Sequence, residues 1–150
     1  VDRHTRDIVT LTATASITTA DHAGRTLLMG EVGGDAAATF TLPAATGTGS
    51  VFKFVVSVVN TSNYLIKVAD ATDTIDGQIV ITDADGTDAS SMVTASASDT
   101  ITLNGTTTGG GAIGDYVEVI DIASNQYAVS GMVTCAAGSN PATMFSATVS

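Results

Sequence analysis

Asp115-Tyr116-Val117-Glu118-Val119-Ile120, then Ile122-Ala123-Ser124-Asn125, then Gln126-Tyr127-Ala128-Val129-Ser130 is the stretch whose reading decides the fold. Two runs rich in β-branched and aromatic residues flank a short polar turn, which is the signature of a β-hairpin. The same grammar recurs along the chain. Ile8-Val9-Thr10-Leu11-Thr12 opens it, and Arg25-Thr26-Leu27-Leu28-Met29 follows the turn Ala20–Gly24. Ala38-Thr39-Phe40-Thr41-Leu42 alternates and stops at Pro43. Val51 to Val59 is the longest apolar run, and Asn60–Asn63 joins it to Tyr64-Leu65-Ile66-Lys67-Val68, which reads as a second hairpin.

Gln78–Thr82, Ser91–Thr94, Thr100–Leu103, Met132–Cys135 and Thr143–Val149 supply further strands, and Gly105–Gly114 reads as a Thr/Gly loop. Apolar residues rarely recur at helical spacing, and Thr and Val stand where good helix formers would be needed. Short strands separated by polar turns are the pattern of a sandwich or barrel. The expectation is an all-β domain over residues 8–150, an antiparallel β-sandwich or jelly-roll-like barrel. No exact internal repeat points to a solenoid. Val1–Asp7 is charged and lacks apolar anchors, which describes a short N-terminal arm.

Length and composition bound the rest. A chain of 150 residues is one domain by the usual prior. Hydrophobic residues make up 44 %, but much of this is Ala, and only 5 % is aromatic. Such a core is thin, since a buried Ala contributes far less than Leu or Phe, so burial of further surface in an oligomer is expected. Lys67 is the last basic residue, and the formal charge of −10 arises wholly beyond it. That surface repels nucleic acid and anionic membranes. The split also predicts a molecule that docks by its neutral N-terminal half and turns its acidic half to solvent. No apolar stretch is long enough to span a bilayer, and no signal-peptide pattern opens the chain at Val1.

Reactive groups are sparse. Cys135 is the single cysteine and lies in a strand pattern, so a buried inert thiol is expected. His4 in the arm and His22 in a turn are the only imidazoles, and neither sits beside a nucleophile motif. One Cys and two distant His do not make a zinc site. Gly109-Gly110-Gly111 lacks the Lys and the helix of a phosphate loop. Neither catalysis nor a cofactor is expected. Asp83-Ala84-Asp85-Gly86-Thr87-Asp88 is the best constellation. It reads as an Asp-rich turn, with calcium as the alternative, because Gly falls fourth rather than sixth and no Glu closes the loop. Tyr64, Tyr116 and Tyr127 lie within strand patterns, which favours sheet packing over a sugar-stacking platform.

The blocks Val9–Thr12, Ala20–Met29 and Thr39–Ala45, followed by Gly114–Val119 and Asn125–Gly131, resemble small β-rich virion proteins of tailed bacteriophages. Those read T-x-x-D-x-G-[KR]-T-x-x-L, then T-x-T-L-P, and end in G-D-[WY]-[VI]-E-[LV] and N-x-[WY]-x-V-x-G. The likeness covers most of residues 8–131, with Tyr116 and Tyr127 where such families usually carry Trp. It implies a non-enzymatic decoration (cement) protein that sits as a homotrimer on the outer capsid surface and bridges copies of the major capsid protein. Arg3, His4 and Arg6 of the arm are then candidate partner-binding residues. A head-fibre or tail-fibre module with a host-facing role is the alternative within this class. A calcium-dependent adhesion or carbohydrate-binding β domain is the alternative outside it.

Overall fold

The computed structural model describes residues 7–150. Twelve strands and one short helix are found among them. In chain order the strands are β1 (Ile8–Leu11), β2 (Ala15–Ser16), β3 (Thr26–Met29), β4 (Ala38–Thr41), β5 (Val51–Val56) and β6 (Tyr64–Lys67). They continue as β7 (Thr74–Asp83), β8 (Ala89–Val93), β9 (Thr100–Leu103), β10 (Tyr116–Ala123), β11 (Gln126–Cys135) and β12 (Phe145–Ser146). The expected turn at Ala20–Gly24 overlaps the helix α1 (Thr19–His22), whose N-cap Thr18 accepts a hydrogen bond from the Asp21 N–H at 3.2 Å.

The strands form a seven-stranded sheet, β1-β3-β5-β10-β11-β7-β8, and a five-stranded sheet, β12-β9-β6-β4-β2. Their inner faces share one core. Phe40 of the smaller sheet stacks on Phe54 of the larger, with ring centroids 5.9 Å apart, and the Tyr64 ring, from the neighbouring strand of the smaller sheet, lies 6.0 Å from Phe40. Leu27, Met29, Phe52, Val56, Ile66, Ile79, Ile81, Val117, Val119 and Tyr127 fill the space between. The all-β sandwich expected from strand spacing is present.

Its pairing is mixed rather than antiparallel. β1/β3, β3/β5, β2/β4, β4/β6 and β7/β11 are parallel. The reason lies in the connections. From β1 to β6 the chain changes sheet at every step, so each strand returns beside its predecessor in the same direction. This makes three turns of a flattened coil without any sequence repeat. The Val51–Val68 hairpin is accordingly absent: β5 and β6 lie in different sheets.

Asn60 makes that connection an arch. Its side chain is buried, donates from Nδ2 to the Ala36 carbonyl at 2.7 Å, and accepts from the Ser62 N–H at 2.7 Å. Nearby, the Tyr64 hydroxyl accepts from the Glu31 N–H at 3.0 Å and lies 2.8 Å from the Val58 carbonyl oxygen. The β10/β11 hairpin is present as expected. It turns through Asn125, the one non-glycine residue with positive φ (62°) among those described. β11 is longer than the two separate strands expected and runs unbroken from Gln126 to Cys135.

Candidate functional site

Five of the ten acidic residues beyond Lys67 are interior: Asp73, Asp83, Asp99, Asp115 and Asp121. The expectation of a uniformly acidic, solvent-facing half therefore fails by half. These carboxylates accept hydrogen bonds from loop backbone, which is what permits their burial in a chain with few cations. Asp121 accepts from the N–H groups of Thr46, Gly47 and Thr48 at 3.0, 2.7 and 3.2 Å, and from the Thr48 hydroxyl at 2.8 Å. Burial works against its charge, but these donors outweigh it and hold the carboxyl below its ordinary range. Asp99 pins the C-terminal segment through the Thr148 and Val149 N–H groups at 2.8 and 3.1 Å. Asp115 accepts from the Gly110 and Thr134 N–H groups at 3.0 and 2.8 Å, yet desolvation prevails and raises its pKa.

The Asp83–Asp88 turn is an Asx-type structure. The Thr87 N–H and hydroxyl donate to Asp83 at 2.9 and 2.8 Å, and the same hydroxyl lies 2.8 Å from Asp85. Desolvation pushes Asp83 upward, but its contacts with Asp85, Thr87 and Asp88 prevail and hold it at about 2. Cys135 is buried, and burial followed by the Asp83 charge raises its thiol pKa. His22 is tied to its own helix, with Nδ1 accepting from the Thr18 N–H at 2.9 Å. Arg3, His4 and Arg6 lie outside the described residues.

What the fold assembles instead is a surface. Tyr116 stands opposite Val55 on one side and Met132 on the other. Val55 in turn faces Leu28, and Met132 faces Val80. Their chain neighbours Leu27, Met29, Phe54, Val56, Val117, Val133, Ile79 and Ile81 are all buried, so this row lies on the outer face of the larger sheet. Leu28–Val55–Tyr116–Met132–Val80 is a continuous apolar stripe across five strands, with Met132 54 % and Val80 37 % exposed. Lys53 and Glu118 stand opposite each other in the next row, and Lys53 Nζ sits 4.8 Å from the Tyr116 ring centroid. Val80, Thr82, Tyr116, Met132 and Thr134 line a depression of about 270 Å³ at one end of the stripe.

Sequence reading missed this stripe because it depends on register between strands distant in the chain. The available signal was apolar residues on both faces of the alternation, as at Val55 and Phe54. Tyr64 and Tyr127 are core residues as expected, and Tyr127 donates to the Pro43 carbonyl at 2.6 Å. Tyr116 alone of the three reaches the outer face. No helix among the described residues is long and apolar enough to cross a membrane. No family model, curated protein or solved structure matches the chain, so the likeness to phage virion proteins stands on its quoted motifs alone.

Proposed function

We propose that the chain is a non-enzymatic structural protein of a tailed-phage virion. It decorates and cements the outer capsid surface as a homotrimer, bridging copies of the major capsid protein. The observation that carries this reading is the Leu28–Val80 stripe: a continuous apolar row on the outer face of the larger sheet is a surface built for a protein partner. The hydrogen-bonded state of the buried carboxylates supports it, since these groups serve the loops rather than a substrate.

The mechanism is additive. Each copy removes a modest apolar area from water, and three linked copies convert weak contacts into a tight clamp. Met132 and Tyr116 supply the area, and the arm with Arg3, His4 and Arg6 meets carboxylates of the shell. Strands from residues before Lys67 (β1-β3-β5) and after it (β10-β11-β7-β8) occupy adjoining parts of the larger sheet, and the stripe crosses that boundary. Docking thus draws on both halves rather than on the neutral one alone.

The test is binding to capsids stripped of the protein. Met132→Asp is exposed enough to leave the fold intact and should abolish attachment. Deleting residues 1–6, which stops short of the Asp7 carbonyl bonded to Thr26 N–H at 3.0 Å, should weaken attachment and spare the melting temperature. Wild-type binding by both variants would remove the capsid reading.

A further inference from the structure

The two sheets have four edges. β2 and β12 are two residues long, and β1 is four. β8 is the longest. It is five residues long, exposed at four of them, and Ala89–Ser98 contains neither charge nor proline. Natural sheets blunt such edges, because their free backbone groups recruit another strand.

The free groups of β8 can be assigned. The Asp83 N–H donates to the Asp88 carbonyl at 3.0 Å and the Thr94 N–H to the Gly77 carbonyl at 3.1 Å, so Asp88 and Thr94 sit at hydrogen-bonded positions against β7. Alternation then turns Ser90 and Met92 toward β7, and Ala89, Ser91 and Val93 away from it. Three N–H and three C=O groups point outward, and none has a partner among the described residues.

We propose that β8 pairs with β8 of a second copy of this chain, antiparallel about a twofold axis at Ser91. The outward set is symmetric about Ser91, so Ser91 meets Ser91 and Ala89 meets Val93, and all six groups are bonded in one register. On the core side Met92, half-buried in one chain, is covered by Ser90 of the other. The charges permit it. Asp88 falls opposite Thr94, and the two Asp88 residues are separated by six residues, about 20 Å at ~3.4 Å each, beyond the ~8–10 Å screening length. An isologous contact is also the commonest kind of self-association. It leaves the stripe from Leu28 to Met132 open and is independent of a threefold assembly, so on a shell it links neighbouring trimers.

Two variants of the full chain test the pairing. Ser91→Pro removes an outward N–H and none that bonds β7, a position where an edge strand tolerates proline. Sedimentation should show a twofold fall in mass against wild type at matched concentration. Ser91→Cys places two thiols directly opposite, with Cα atoms about 5.5 Å apart, within disulfide reach. Mild oxidation should link it into dimers, whereas Val93→Cys, opposite Ala89 and about 14 Å along the strand from its own counterpart, should not link. An unchanged mass for a folded Ser91→Pro overturns the proposal, as does equal linking, or no linking, of the two cysteine variants. If Ser91→Pro unfolds, the cysteine pair alone decides. Dimers that fail to bind stripped capsids would refute the capsid reading and leave the pairing standing.

Discussion

Replacing Asp121 with Ala should loosen the crossover from β4 to β5 and cost the protein a measurable share of its stability. Asp121 receives three backbone N–H groups and one hydroxyl from Thr46–Thr48, and its own carbonyl and N–H bond Gly49 and Ser50 at 2.9 and 3.0 Å. Hydrogen bonds to a charged acceptor contribute about 1.5–3 kcal/mol each. Thr46, Gly47 and Thr48 are exposed, so water takes up most of the released donors, and the net loss is that of one to two such bonds. That gives about 3 kcal/mol, or roughly 6–12 °C of melting temperature at ~2–4 °C per kcal/mol for a chain of this size. Asp121→Asn keeps one acceptor oxygen and should fall between. The control is Asp70→Ala, whose exposed carboxylate accepts from Thr72 and, as a lesser contact, the Asp73 backbone, so its melting temperature should fall far less than that of Asp121→Ala. Calorimetry of the three variants checks this. An Asp121→Ala transition within a degree of wild type would show that the loop is held by other contacts and that buried carboxylates are not what fixes these crossovers.

Gly131→Ala should prevent the β10/β11 hairpin from closing, because a Cβ there would lie 2.4 Å from the Tyr116 carbonyl oxygen; loss of the cooperative melt is the expected result. Acid should unfold the protein late. Asp83, at about 2, and Asp121 are lowered, so their contribution is present above the unfolded value near 3.8 and is lost as pH falls through the folded values. Asp115 is raised and has the opposite sign: it costs stability at neutral pH, and the cost is relieved as pH falls toward 3.8. The melting temperature should therefore hold or rise from pH 7 to about pH 4.5 and fall below about pH 3, and a midpoint of acid unfolding above pH 4 would contradict this assignment.

Strand positions were legible in the sequence because they depend on neighbours in the chain. Thr100–Leu103 and the Tyr116–Ser130 hairpin appear where alternation and turn residues place them. The path between strands was not legible. Asn60-Thr61-Ser62-Asn63 has the composition of a hairpin turn, and only the burial of Asn60, with its bond to Ala36 twenty-four residues earlier, makes it an arch. A turn motif specifies a bend; tertiary partners specify whether the strands that follow it pair.

The charge pattern shows the same limit at the level of the site. Ten acids without a cation after Lys67 read as a repulsive surface, because carboxylates are ordinarily solvated. Yet the spacing of Asp residues just before or within strands, as at Asp73, Asp83, Asp99 and Asp115, is also what a many-looped sandwich requires. Each loop crossing between sheets leaves backbone N–H groups without ladder partners, and a carboxylate satisfies two or three of them at once. A coil that changes sheet at nearly every connection has more such loops than a meander, so it draws more acids inward. Acid enrichment and frequent sheet-crossing are two aspects of one architecture, and the surface left behind is less charged than the formal −10 implies. That leaves an apolar stripe on the outer face of the larger sheet and an uncharged edge on β8.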